Sequence, residues 1–448
     1  MKYAFTILII TLSFCASSQI ITTIAGTGST TNTGDGGAEA TATIDLPCLI
    51  RFDKSGNLYL TTDVGNSVRK IATNGIINKL VGTGSGGFSG DGGQATAAKL
   101  KTTQGIALDT FGNIYIGDAE NHRIRKVTIA TGIISTIAGT GIPGYNGDSI
   151  QATAAMLNDP NGLCFDKKGN LYVADYQNYR VRKIAPSGII TTFAGTNVAG
   201  YNGDGGLADT SEIRGVLDLC SDDAGNIYLA DEVNGRIRKV DTLGFIHTIA
   251  GTGVAAYSGD GGPASAAEVE PHSITNDKFG NIYFGDIYTS RIRKVDFMGV
   301  VTTVTGDGTF AFTGDGGLAT AAEINTPFGL TTDTCGNLYL CDGHNYRIRK
   351  ITIDTSCHFS EASLSANQLI TSNIISIYPN PTYTSVTISA TSKINHITIT
   401  NLIGQIIYTQ AYDIEKAEVN IAGLPDGVYI VRVTDNEGKT TMNKIVKQ

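Results

Sequence analysis

An aspartate and a histidine, Asp218 and His272, stand at neighbouring positions of two adjacent repeats in this 448-residue chain. A carboxylate beside an imidazole is raw material for general acid–base chemistry and for metal binding. Arg51, in the corresponding strand of another repeat, is the one cation found in these strands. Two further patterns carry charge in copy after copy. A loop of the form GDGGxATAAxL presents Asp35, Asp91, Asp148, Asp204, Asp260 and Asp315, and Asp–Gly loops can hold calcium or phosphate. A later segment reads Arg-x-Arg-Lys, as in Arg236, Arg238 and Lys239, which could make a basic belt for anions.

The two repeated patterns read more simply as scaffold. A calcium loop needs several carboxylates per site, and these loops lack them. The third copy has Gly147-Asp148-Ser149-Ile150, so the later glycines are dispensable. We read the loop aspartate as the cap of a short Ala-containing helical turn. The arginines have an internal comparison. Five copies carry Asp118, Asp175, Asp231, Asp286 or Asp342, each with an arginine five residues on: Arg123, Arg180, Arg236, Arg291, Arg347. The first copy has Thr62 and Ser67 instead. Joint loss marks the two as partners across a hairpin, and an exposed pair of this kind stabilises by only about 0–1 kcal/mol. His122 and His344 fall in hairpin tips and read as polar loop residues.

The repeat that positions all of these recurs about every 56 residues, six times. Each copy holds four short segments rich in Ile, Val, Leu, Tyr and Thr, which read as strands. Between the first two lies Asp-x-x-Gly-Asn, from Asp53–Asn57 onward. Asp bonds its own backbone two residues on and Gly accepts a positive φ, so this is a hairpin turn. Four-stranded antiparallel units repeated at a fixed period make a β-propeller, here with six blades. The array begins with a fourth-type strand, Ile20–Ala25, and ends with a third-type strand at 347–353. The N-terminal strand is therefore expected to close the last blade and cover its edge. Cys335 and Cys357 flank that closure and are expected to form a disulfide, whereas Cys164 and Cys220 read as buried thiols.

The ends differ from the array. Residues 1–18 read as a secretory signal peptide, with Lys2 before an apolar run and small residues after it; lipidation at Cys15 is the rival reading. The propeller spans 19–356, a polar linker 357–370, and a small β-sandwich 371–448. No other apolar run reaches the roughly 18 residues of a membrane span. A net charge of −8 argues against nucleic acid as partner. Absence of CxxC pairs gives no support to zinc, and neither a metal nor a cofactor is expected.

The segment GNIYIGDAENHRIRKV, ending at Val127, resembles the NHL repeat in its secreted bacterial form, and the likeness runs from Ile20 to about 353. The resemblance implies a six-bladed propeller serving as a binding scaffold. Related propellers include lactonases and a metal-dependent lyase, whose His and acidic metal ligands are not matched here. Tyr378-Pro379-Asn380-Pro381, Leu402-x-Gly404, Leu424-x-x-Gly427-x-Tyr429 and the final Lys444-Ile445-Val446-Lys447 resemble the type A C-terminal sorting domain of the type IX secretion system. That likeness implies export across both membranes of a Bacteroidetes-type bacterium through residues 371–448, ending in release or surface attachment.

Function is then sought where the copies differ. Loops between blades, starts of innermost strands and tips between strands two and three share one face. The strand starts form a ring of pairs: Cys48-Leu49, Gln104-Gly105, Asn161-Gly162, Leu217-Asp218, His272-Ser273 and Phe328-Gly329. The candidate ligand-binding residues are Arg51, Gln104, Asn161, Asp218, His272 and Phe328, with no catalytic residue assigned. The expected function is a secreted or surface scaffold binding a protein, glycan or small molecule at this mouth. The alternative is a lactonase- or lyase-like enzyme using Asp218 and His272.

Overall fold

The computed structural model describes residues 19–352 and, towards the C-terminus, 376–378, 382, 384–400, 406–425, 427–436 and 440–447. The signal segment with Cys15, the linker and Cys357 lie outside the described residues. Cys335 is a free, exposed thiol, and Cys164 and Cys220 are free and buried. The chain divides into two compact units, 1–359 and 360–448.

The first unit is all-β and propeller-like. Its strands form six antiparallel sheets, each built in the order the repeat dictates. The second sheet is typical: Thr103–Leu108, Ile114–Asp118, Arg123–Thr128 and Ile133–Ala138. The third sheet gains a short fifth strand, Ile150–Gln151, where the loop departs from GDGG. In the sixth, Ile20–Ala25 pairs antiparallel with Arg347–Thr352, so the N-terminal strand supplies the missing edge.

Apolar side chains on the strands are buried between sheets, not in one central mass. One cluster joins Ile106, Ile116 and Ile134 to Leu49, Val68 and Val81 of the sheet before. An equivalent cluster joins Cys341 and Ile348 of the sixth sheet to Ile50 and Leu60 of the first. Each such Ile or Leu contributes about 1.5–3 kcal/mol on burial. Closing the series from last sheet to first leaves no interface exposed.

The Asp-x-x-Gly-Asn turn does more than reverse the chain. The Asp53 carboxylate accepts from the Ser55 and Asn57 backbone N–H, from Asn57 Nδ2 and from the Tyr59 hydroxyl. These donors hold its carboxyl below the usual range despite the opposing effect of burial. The same arrangement recurs at Asp109, Asp166, Asp222, Asp277 and Asp333.

Two expectations about repeated charges need correction. The loop aspartates cap nothing: the 3-10 turns that follow, such as Ala95–Ala97, have no side-chain cap bond. Each loop aspartate instead faces the second arginine of Arg-x-Arg, for example Asp91–Arg125 at 2.7 Å and Asp204–Arg238 at 2.8 Å. Arg69, which follows Ser67 and Val68 in the first copy, and the second arginines Arg125, Arg182, Arg238, Arg293 and Arg349 are all 0% exposed. A buried guanidinium requires a counter-charge, and the loop carboxylate provides it.

The strand-two aspartate is likewise paired with this second arginine, as in Asp118–Arg125 at 3.1 Å, and not with the arginine five residues on. Asp118 and Arg123 are register neighbours, but Arg123 donates to the Asn121 and Thr140 carbonyls and lies over the Phe88 ring at 3.8 Å. That stack explains the joint loss in the first copy. Asn32 there replaces the aromatic residue, and its amide donates to Thr62 Oγ1 and Ser67 Oγ. Three residues change together because they touch one another.

The C-terminal unit has two long strands, Ser385–Thr400 and Ile406–Asn420, together with Gly427–Asp435, Thr440–Lys447 and the short Ser376–Tyr378. Between Ser389 and His396 the pairing slips, but no Gly or Pro ends the strand. All five belong to one sheet, and its long strands bury a common core that includes Val386, Ile397, Val419 and Val431.

Candidate functional site

The six innermost strands begin on one face, and their second residues converge. Cys48, Gln104, Asn161, Leu217, His272 and Phe328, with Leu49 and Asp218, line one small depression. A break in register falls at this point in every sheet, for example between Thr103 and Ile106 or Pro271 and Ser273. Such bulges re-aim a side chain out of the pleat. The enclosed volume is only ≈10 Å³, about one water.

Glycine is what draws the strands so close. A Cβ at Gly105 would run into the Asn161 carbonyl, one at Gly162 into Leu217 and Asp218, and one at Gly329 into the Cys48 carbonyl. Gly329→Ala should therefore push the sixth and first sheets apart. Overpacking of this kind costs about 1–3 kcal/mol; a denaturation midpoint unchanged from wild type would contradict the close approach.

Arg51 and Asp218 meet beneath the mouth, although their strands lie on opposite sides of the ring. Arg51 Nη2 is 2.9 Å from Asp218 Oδ1, and Asp218 is 1% exposed. Arg51 Nη1 also donates to the carbonyls of Ile50 and Leu330, while Asp218 Oδ2 accepts from the Ile274 N–H. Burial pushes the Asp218 carboxyl up, and the Arg51 guanidinium opposes that shift. The pair ties strands of four sheets together across the axis. Asp218 and His272 line the same depression without pairing.

His272 has a different partner. Its Nδ1 lies 3.1 Å from Glu232 Oε1, and its ring is 5.0 Å from that of Phe328. Phe328 in turn lies 5.6 Å from the His344 ring, whose Nδ1 is 2.6 Å from Thr326 Oγ1. Gln104 Nε2 approaches Asp63 Oδ2 at 3.5 Å, and Asn161 Nδ2 donates to the Asp159 carbonyl. The candidates Gln104, Asn161, His272 and Phe328 thus share the mouth's surface, with Arg51 and Asp218 beneath.

Sequence reasoning passed over the acids around this ring. Glu232 and Asp63 each follow the last residue of a second strand, and Asp159 and Glu270 each lie two residues before a ring position. The same alignment that exposed the ring would have found them, one loop outward. Burial pushes Asp63 up to about 6, helped by the neighbouring Glu120, Asp45 and Asp159. Burial likewise raises Asp159 and Glu270. Among the described residues no group of three or more His, Cys, Asp or Glu is placed to hold a metal ion.

A second, larger cavity lies on the opposite face, between the turns of the fourth, fifth and sixth sheets. It measures ≈750 Å³ and includes Asp222, Asp277 and Asp333 in its lining. These are the repeated turn residues, already occupied by their own backbones.

An array of such sheets, closed by its own N-terminal strand, is a propeller built of NHL repeats, and the C-terminal unit is a sorting domain of the type IX secretion system. Residues 84–142 and 143–202 match the Teneurin NHL domain family, and residues 376–448 match the Secretion system C-terminal sorting domain family. NHL repeat-containing protein 2 of Gallus gallus is 26% identical over 348 residues, covering 69% of this chain and 47% of that protein. Teneurin-4 of Mus musculus is 29% identical over 253 residues, 48% of this chain and 9% of its own length. The chain therefore spans at most about half of these relatives. Among solved structures, an auxiliary nutrient binding protein from Bacteroides thetaiotaomicron superposes with a TM-score of 0.56 at 18% identity, covering 75% of this chain and 76% of that one. The sorting domain marks the chain for export to the cell surface or secretion. No helix among the described residues is long and apolar enough to cross a membrane.

Proposed function

We propose that this chain is an exported six-bladed NHL propeller, followed by a small β-sandwich sorting domain, and that it binds a ligand or protein partner at the mouth of its central channel. The divisions are a signal peptide at 1–18, the propeller at 19–356, a linker at 357–370 and the sorting domain at 371–448. The cyclic order of six sheet interfaces supports the blade count. A common core beneath long strands supports the sandwich. The observation that carries the functional reading is the contrast between faces. The turn face repeats one saturated motif, whereas the mouth gathers the residues in which the copies differ. A structural neighbour described as a nutrient binding protein is in keeping with it.

The test is calorimetry of the exported chain against a panel of small molecules, glycans and peptides, with His272→Ala and Phe328→Ala as variants. At least one ligand should lose about tenfold in affinity, or ~1.4 kcal/mol, in both variants. Ligands indifferent to both would contradict a mouth site.

The Glu232–His272 contact favours a second reading. A carboxylate can orient an imidazole as a general base, which would suit a lactonase- or lyase-like hydrolytic site. Turnover in a lactone-hydrolysis assay, lost in His272→Ala, would replace the binding-only account with this one.

A further inference from the structure

We infer a second binding site, for a small oxyanion, at Arg180 in the third copy and apart from the mouth. The first arginine of Arg-x-Arg has a fixed seat in four other copies. Its Nη1 donates to the carbonyl two residues back, as Arg236 does to Asn234 at 2.7 Å. Its Nη2 donates to the carbonyl two residues beyond the fourth strand, at Thr27, Thr140, Thr252 or Asp307. The residue after that carbonyl is Gly28, Gly141, Gly253 or Gly308, and a Cβ there would run into the guanidinium.

In the third copy that residue is Asn197, at a φ of 73°. Its Cβ takes space that a guanidinium fills elsewhere, and Arg180 loses its seat. Among the described residues Arg180 donates once, at 3.4 Å from Nη1 to the Asn178 carbonyl. Its Nε is buried with no hydrogen-bond partner, and so is the Thr196 hydroxyl.

Arg180 and Thr196 line one open cavity of ≈290 Å³, with Tyr145, Asp148, Thr192 and Asp209. None of these lines the mouth. The Tyr145 ring lies 3.9 Å from the guanidinium carbon and covers one face of the fork, so a partner comes to its edge. Asp148 is taken by Arg182, Tyr145 and Thr192. Asp209 is exposed on the turn Ala208–Thr210 and forms no ion pair with Arg180. A guanidinium edge matches two oxygens of a carboxylate or phosphate, and the Thr196 hydroxyl can donate to the same group. Like the mouth, the site arises where one copy departs from the rest.

Calorimetric titration of the exported chain at constant ionic strength would compare propionate and phosphate with n-propylammonium and n-propanol. The anions should bind, and the cation and the alcohol should not. Arg180→Gln should weaken the anions at least tenfold. Asn197→Gly should do the same, by returning the guanidinium to the Thr196 carbonyl. The other five copies carry glycine there, so the fold accepts it. Arg236→Gln, at the equivalent place in the fourth copy, should leave anion binding unchanged. Tighter propionate assigns a carboxylate ligand, and tighter phosphate a phosphoryl one.

Absence of anion binding overturns the inference. So does anion binding indifferent to either Arg180→Gln or Asn197→Gly, or weakened equally by Arg236→Gln. Anion binding lost instead in His272→Ala and Phe328→Ala would move the anion to the mouth, removing this site and leaving the mouth reading intact.

Discussion

Replacing Arg238 with methionine should destabilise the array by about 3–5 kcal/mol, the range for removing one partner of a buried ion pair. Arg238 is 0% exposed, 2.8 Å from Asp204 and 3.5 Å from the fully buried Asp231. Methionine fills similar space but leaves Asp231 with only the Asn234 amide and the Arg214 backbone N–H. The midpoint of thermal unfolding should fall on the order of 5–10 °C.

The pH dependence has a definite sign. Burial pushes Asp231 up to about 6 in the intact protein, and the arginine opposes that rise. Without arginine it rises further. Above that range the variant carries an unpaired buried charge and shows its full deficit. As pH falls from that range to about 6 the variant's carboxyl takes its proton before the wild-type one, and the deficit shrinks to its minimum below about 6. A deficit that grows on acidification would contradict the pairing.

The first repeat supplies a control. Asp231→Thr alone should be costly, because Arg238 then loses a counter-charge. The triple variant Tyr201→Asn, Asp231→Thr, Arg236→Ser reproduces the Asn32, Thr62 and Ser67 cluster. It should recover much of the loss, since coupled residues are not additive.

The second large effect is expected at the axis. Arg51→Met strands Asp218, which is 1% exposed and keeps only backbone donors. The expected cost is again about 3–5 kcal/mol. Adding Asp218→Asn removes the stranded charge, and the double variant should be more stable than Arg51→Met alone. If the double variant is worse, the ion pair is not what joins the strands there. Mouth ligands should be sensitive to both variants through the shape of the floor.

Strand order, turn chemistry, the closing N-terminal strand and the ring of mouth residues could all be read from the chain, because each depends on local pattern or on register. Partner choice inside that register could not. Asp118 faces Arg123 across the hairpin and yet pairs with Arg125, because the second arginine is the one sealed from water. The loop aspartate looked like a cap, but its role is set by a guanidinium 34 residues away in sequence. Glu232 escaped notice because a tip residue becomes part of a site only once the strands bring it beside His272.

The central claim is that the repeated motif builds the frame and the non-repeated mouth does the binding. A crystallographic fragment screen of the exported chain tests it most directly, since two faces compete on equal terms. Bound fragments are expected against Gln104, Asn161, His272 and Phe328. Fragments gathered instead in the ≈750 Å³ cavity among Asp222, Asp277 and Asp333, with the mouth empty, would contradict it.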